Sequence, residues 1–159
     1  LLALDSLVAE TVRIYQSMFA RQGNTLTADT EPGLPFVEGS ADQLVQVLIN
    51  LLSNANRHTR NGSVLVRAKA LENQVLVSVT DNGDGISPEL LPHVFERFQR
   101  GDSGGSGLGL TICKAIIEEH GGKIGVKSEE GKGTEIWFTL PVKEAEHEQD
   151  GNNPPGRGR

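Results

Sequence analysis

The sequence predicts an α/β two-layer sandwich in which three helices cover one face of a mixed, largely antiparallel sheet. Three observations lead there. Three segments carry apolar residues at helical spacing, two pairs of β-branched runs are joined by short turns, and the 19 glycines of the 159 residues are clustered. Twelve of those glycines fall between Gly83 and Gly133. They lack the three-residue period of collagen and point instead to loops that approach a ligand closely. Hydrophobic residues make up 36% of the chain and aromatic residues only 4%, which suits one domain with an aliphatic core.

The elements follow in order. Leu4, Leu7, Val8, Val12, Tyr15 and Phe19 recur at helical spacing, and Gly23 supplies a stop. Residues 24–37 are Thr-rich and broken by Pro32, Gly33 and Pro35, which predicts two short strands around a turn. Ser40, followed three residues later by Gln43, carries the pattern of a reciprocal capping box and opens a helix that runs to about His58.

The apolar face of that helix is Leu44, Val47, Leu48, Leu51, Leu52 and Ala55, and beside it runs a stripe of Gln43, Gln46, Asn50, Asn54 and Arg57. A face that only met water would favour Glu and Lys, which are better helix formers than Asn. Runs 63–70 and 75–80 read as a hairpin across the turn 71–74. A third helix is expected from about Leu108 to His120, closed by Gly121 and Gly122. A last hairpin pairs 123–128 with 134–140 around Gly131, Lys132 and Gly133. From Lys143 to Arg159 the only hydrophobic residue is Ala145, so a domain of residues 1–142 is expected to end in a disordered tail, 143–159.

Fifteen Lys plus Arg against 21 Asp plus Glu leave a net charge of −6, the wrong sign for holding nucleic acid by phosphate neutralisation. The single cysteine, Cys113, excludes an internal disulfide and a cysteine-based zinc cluster, and its apolar helical context reads as a buried thiol. The longest apolar stretch, Val47 to Leu52, is interrupted by Asn50 and falls far short of the roughly 20 residues of a membrane span. No signal peptide is visible, the chain opens on Leu1, and its only methionine is Met18. A cytoplasmic piece of a longer protein, without membrane contact of its own, is expected.

Three ligand signatures can be tested against the glycine clusters, and each fails. A P-loop needs Ser or Thr after Gly-Lys, but Gly122-Lys123 precedes Ile124 and Gly131-Lys132 precedes Gly133. A dinucleotide-binding turn needs a third glycine where Gly105-Ser106-Gly107-Leu108-Gly109-Leu110 has Leu110. A calcium loop centred on Gly85 would place Thr80 and Leu91 where carboxylates are required.

What remains is a constellation in a fixed order: the carboxamide-striped helix with Gln46 to Thr59, the turn Asp81-Asn82-Gly83-Asp84-Gly85-Ile86, the segment Phe95-Glu96-Arg97-Phe98, and Gly104 to Leu110 opening a helix. It resembles the asparagine box, first glycine box, phenylalanine box and second glycine box of the catalytic and ATP-binding domain of sensor histidine kinases. That domain belongs to the superfamily that also holds DNA gyrase, a family of heat-shock chaperones and MutL. The likeness covers residues 1 to about 142 and implies the Bergerat-type ATP-binding fold, with ATP between two helices and a lid.

The resemblance implies a role for each matching residue. Asp81 would accept a hydrogen bond from the exocyclic amine of adenine, with Gly83 and Gly85 letting backbone come against the base. Asn54 would be the Mg²⁺ ligand, and Arg57 and His58 would reach the phosphates. The ATP-hydrolysing relatives carry a general-base glutamate where this chain has Asn50, whose amide cannot take up a proton. Transfer to a protein acceptor is therefore favoured over hydrolysis, with Asn50 holding metal or water or serving structure alone.

The start of the third helix, Gly107-Leu108-Gly109-Leu110, would offer N–H groups to phosphate oxygens, and Ile86, Ser106 and Thr134 complete the implied ATP-binding set. Arg97 and Arg100 would add positive charge during transfer or, equally, remain solvated, and Phe95 and Phe98 read more readily as simple packing. The lid is short, residues 99–106. None of His58, His93, His120 and His147 lies in a phosphoacceptor context. The implied partners are a histidine-bearing dimerisation domain of the same full-length kinase, which would be a homodimer, and a downstream response regulator. A serine kinase of the anti-sigma-factor type and a catalytically inactive nucleotide-sensing module are the alternative readings.

Overall fold

The structure is a computed structural model and describes residues 1–96 and 108–143. Arg97, Phe98, Arg100, Ser106 and Gly107, the short segment 99–106 and the tail from residue 144 lie outside the described residues. The elements run α1 (Leu4–Arg21), β1 (Thr25–Thr30), α2 (Ala41–His58), β2 (Ser63–Leu71), β3 (Gln74–Asp81), a 3-10 turn (Leu91–His93), α3 (Leu108–Glu119), β4 (Lys123–Glu129) and β5 (Gly133–Pro141).

The five strands form one sheet in the order β1-β2-β3-β5-β4, with β1 parallel to β2 and every other pair antiparallel. This is the mixed, largely antiparallel sheet expected, and its covered face follows from the period-2 alternation of the strands. Val64, Val66 and Ala68 of β2, Val75, Val77 and Val79 of β3, and Ile136, Phe138 and Leu140 of β5 are buried. Against them pack Leu4, Val8, Val12 and Phe19 of α1, the Leu44 to Ala55 face of α2, and Cys113, Ile116 and Ile117 of α3. Each fully buried Leu, Val, Ile or Phe contributes about 1.5–3 kcal/mol over its exposed state, so this layer outweighs any single polar contact in the molecule.

Both α1 and α3 end in the same way. Asn24 N–H reaches back to Phe19 O and Gly23 N–H to Ala20 O, while Gly122 N–H bonds Ile117 O and Gly121 N–H bonds Glu118 O. These are the paired bonds of a Schellman stop, with Gly23 and Gly121 at positive φ.

Two sequence expectations change. Residues 24–37 form one strand rather than two: β1 pairs in parallel with β2, and Val37 makes only isolated bridges to Leu2 and Val142. Pro32 and Pro35 lack the N–H groups that a returning strand would need. The capping box at Ser40 is half formed. Ser40 Oγ accepts Gln43 N–H at 3.2 Å, but Ser40 N–H donates to His120 Nε2 at 3.1 Å instead of to Gln43. No helix among the described residues is long and apolar enough to cross a membrane.

Candidate functional site

The inward-facing rows of the sheet change character at one end. Val75, Val77 and Val79 place Asp81 next on the same face of β3, and the register sets it opposite Thr134 of β5, which in turn faces Ser128 of β4. Asp81 is 7% exposed. Its Oδ1 accepts Gly83 N–H at 2.9 Å, and Thr134 N–H also bonds the carboxylate. Burial pushes its pKa above the ordinary 3.8 and outweighs the lowering by these two N–H groups and by the nearby His58; Asp84 raises it a little further.

The turn after Asp81 is clamped from two sides. Asp84 N–H bonds His58 O at the end of α2, at 3.0 Å, and Gly131 N–H bonds Asp84 O at 2.7 Å. Ile86 N–H bonds Ser128 Oγ at 2.8 Å, and that hydroxyl also meets Thr134 Oγ1 at 2.9 Å and Gly133 O at 3.0 Å. The two candidate glycines are needed by the protein itself. A Cβ on Gly83 would run into His58 O, and one on Gly85, at φ +75°, would run into Glu129 O.

Along α2 the polar stripe is graded. Gln43 and Gln46 are exposed, Asn50 and Asn54 half-buried, and Arg57 exposed. Arg57 Nη2 donates to Asn54 Oδ1 at 3.3 Å, the i, i+3 geometry expected on one helix face. Asn50 Nδ2 reaches across to Gly109 O at 3.5 Å, which brings the first turn of α3 alongside the stripe. A Cβ at Gly109 would meet nothing within 4 Å among the described residues, the opposite of Gly83 and Gly85. Leu110 is partly buried against the core, and Thr111 Oγ1 donates to Phe95 O at 3.0 Å.

Cys113 lies between α2 and α3, fully buried, with Sγ 3.8 Å from Val47 O. Burial pushes its thiol up to about 11, with the Asn50 side chain pulling the other way. It is a packing residue, as its apolar context predicts.

The structure thus brings Asn50, Asn54, Arg57, His58, Asp81, Gly83, Gly85, Ile86, Gly109, Leu110 and Thr134 around α2, the β3 turn and the start of α3, with Leu108 as the first residue of α3. It also reveals residues the sequence reading passed over. Ser128 completes the polar row, and its parity with Ile124 and Val126 on β4 was the available signal. Asn24 and Asn56 are both 4% exposed and share a bond of 2.8 Å. Asn24 also donates to Thr59 O and accepts Gly62 N–H, so it ties the end of α2 to the starts of β1 and β2. The arrangement offers a buried carboxylate acceptor beside the end of α2 and, further along that helix, carboxamides and a guanidinium with the first turn of α3 alongside.

The family described as histidine kinase-, DNA gyrase B- and HSP90-like ATPases matches residues 39–144. The sensor protein SrrB of Staphylococcus aureus (strain NCTC 8325 / PS 47) is 46% identical over 110 residues, 65% of this chain. The match spans 19% of SrrB. Full-length ShkA in complex with AMPPNP has a TM-score of 0.83 at 31% identity, covering 91% of this chain and 31% of ShkA. The nucleotide-free catalytic domain of histidine kinase ThkA gives 0.80 at 32% identity, covering 89% and 93%. ThkA in complex with the response regulator protein TrrA gives 0.75 at 29%, covering 89% and 41%.

Proposed function

The chain belongs to the family of histidine kinase-, DNA gyrase B- and HSP90-like ATPases, and on that premise we propose that it is the catalytic and ATP-binding domain of a sensor histidine kinase. It would move the γ-phosphoryl group of ATP to a histidine on a dimerisation domain of the same full-length, homodimeric kinase. The observation that carries this is the position of Asp81: a buried carboxylate at the end of an apolar strand row, in a turn held to the end of α2 by Asp84 N–H on His58 O. The relatives are sensor and histidine kinases, so the serine-kinase and nucleotide-sensing readings are not favoured.

In this reading Asp81 accepts the adenine amine, a group guanine lacks at that position. Gly83, Gly85 and Ile86 form the wall of the base pocket, with Thr134 and Ser128 holding the carboxylate side in register. At Gly109, which carries no Cβ, phosphate oxygens would meet the N–H groups of Leu108, Gly109 and Leu110 and the positive end of α3. Arg57 and His58 reach the phosphates from α2. Among the described residues no group of three His, Cys, Asp or Glu could hold a metal ion. A cation beside α2 would take the Asn54 Oδ1 and complete its shell with phosphate and water, the ligand set Mg²⁺ prefers. Mg²⁺ held there would supply charge neutralisation for the transfer.

The chemistry asked of the chain is positioning and charge stabilisation. The lone pair of the acceptor imidazole attacks the γ-phosphorus, the P–O bond to the β-phosphate breaks, a P–N bond forms and ADP leaves. No general base is required from this domain, and Asn50 provides none. Arg97 and Arg100 are proposed to add positive charge during transfer, and Ser106 and Gly107 to continue the phosphate loop. A downstream response regulator, as in the ThkA complex with TrrA, and a cytoplasmic location go with this role.

Calorimetric titration of this chain with ATP and with GTP, each with Mg²⁺, tests the reading. One ATP site, with GTP at least tenfold weaker, is expected. Absence of ATP binding, or equal affinity for GTP, would overturn it.

A further inference from the structure

Helices α2 and α3 lie antiparallel in a constant register, marked by three contacts: Ser40 with His120, Val47 with Cys113, and Asn50 with Gly109. The link at the nucleotide end is the long 3.5 Å contact of Asn50. At the far end His120, the residue that follows α3, makes a tighter one. Its Nδ1 lies 2.8 Å from Ile116 O, so Nδ1 carries the hydrogen and the Nε2 lone pair is left to accept Ser40 N–H at 3.1 Å. A neutral imidazole thus joins the residue that opens α2 to the last turn of α3. Gly39 is seated against the ring, and a Cβ there would strike Cδ2 and Nε2.

An α-helix transmits an axial displacement along its whole length. His120 stands about 17 Å from Gly109, at 1.5 Å per residue. A slip at the His120 end therefore appears at the start of α3, where a misplacement of about 1 Å is enough to matter for positioning. The adenine end is held separately, by Asp84 N–H on His58 O, Gly131 N–H on Asp84 O and Ile86 N–H on Ser128 Oγ. None of these bonds involves α3.

We infer that His120 is a positioning residue for the phosphate end of the nucleotide, setting through Ser40 and Ile116 the register of α3 against α2. It thereby sets where the first N–H groups of α3 stand relative to Asn54 and Arg57. The inference rests on the nucleotide reading above.

The test compares the unaltered chain with His120→Ala, His120→Gln, Gly39→Ala and the Gly39→Ala/His120→Ala pair. Affinities for adenosine and for ATP with Mg²⁺ are measured at a temperature where circular dichroism shows every variant folded. Loss of the link is expected to weaken ATP about tenfold in His120→Ala and in Gly39→Ala, the size of one net hydrogen bond. Adenosine affinity stays within about twofold, because Asp81 and its turn are held elsewhere. The pair is expected to be no weaker than either single variant, since both break one link. His120→Gln keeps most of the affinity, because its amide can accept from Ser40 and donate to Ile116. If the unaltered chain binds ATP and His120→Ala binds it equally well, or loses adenosine and ATP alike, the inference is overturned while the nucleotide reading stands. If the unaltered chain does not bind ATP, both fall.

Discussion

Replacing Asp81 by Asn should lower nucleotide affinity without lowering stability. The carboxylate is buried, with the Gly83 and Thr134 N–H groups as partners and His58 nearby, and burial dominates, so its pKa in the folded chain lies above the ordinary 3.8. The folded protein therefore takes up this proton at a higher pH than the unfolded chain does. The cost of the ionised form is absent at low pH and sets in as pH rises through the folded value. Asn carries no charge at any pH, and its Oδ1 can still accept Gly83 N–H, so Asp81→Asn should show an unchanged or higher Tm at pH 7. Affinity should fall. A hydrogen bond to a charged acceptor is worth about 1.5–3 kcal/mol net, which corresponds to ATP bound about 10- to 150-fold more weakly. Calorimetry with ATP and Mg²⁺, paired with thermal unfolding between pH 4 and 7, reads both quantities. The unaltered chain should lose more ATP affinity on acidification than the variant does, since only it carries the Asp81 carboxyl. Unchanged ATP affinity in Asp81→Asn, or a drop in Tm that accounts for the loss, would refute the reasoning.

Three further outcomes follow from the same geometry. Asn54→Ala removes the side-chain oxygen proposed for the cation, and phosphotransfer should become insensitive to Mg²⁺ concentration and fall by at least tenfold; undiminished Mg²⁺-dependent transfer would count against that assignment. Asn50→Asp should not create a fast ATPase, because a placed water is needed as well as a carboxylate. A well-placed general base contributes about 10²–10⁴-fold, so a hydrolysis rate that rises a hundredfold or more in this variant would show the site to be misread. Cys113, with its thiol pushed up to about 11 and no exposed surface, should resist a thiol-specific reagent at pH 8 until denaturant unfolds the chain; stoichiometric labelling of the native protein would contradict its burial between α2 and α3.

Local patterns carried much of this fold in the sequence. The apolar faces of α1 and α2, the glycine stops after α1 and α3 and both hairpins were legible because each is dictated within a few residues. The second strand expected in 24–37 was not, since whether a Thr-rich, Pro-broken stretch pairs depends on a distant partner, and β1 found that partner in β2. The half-formed capping box has the same cause: Gln43 is the local candidate for Ser40 N–H, but His120, eighty residues away, takes it. Within the site, Asp81, Asn54 and Asn50 stood out because a carboxylate at a strand end and amides on a helix face are unusual choices. Ser128 did not, because a serine in a hairpin is ordinary until registration places it beside Thr134 and Ile86. The sequence suggested that Gly83 and Gly85 make room for a base; the structure adds that α2 and the β4–β5 turn already forbid a side chain there.

The account stands most directly on phosphotransfer. This chain, mixed with the separately purified histidine-bearing dimerisation domain of the same full-length kinase and γ-labelled ATP with Mg²⁺, should place label on that domain. The label should be acid-labile, as a phosphohistidine is. Acid-stable label, or ATP bound without any transfer, would contradict it.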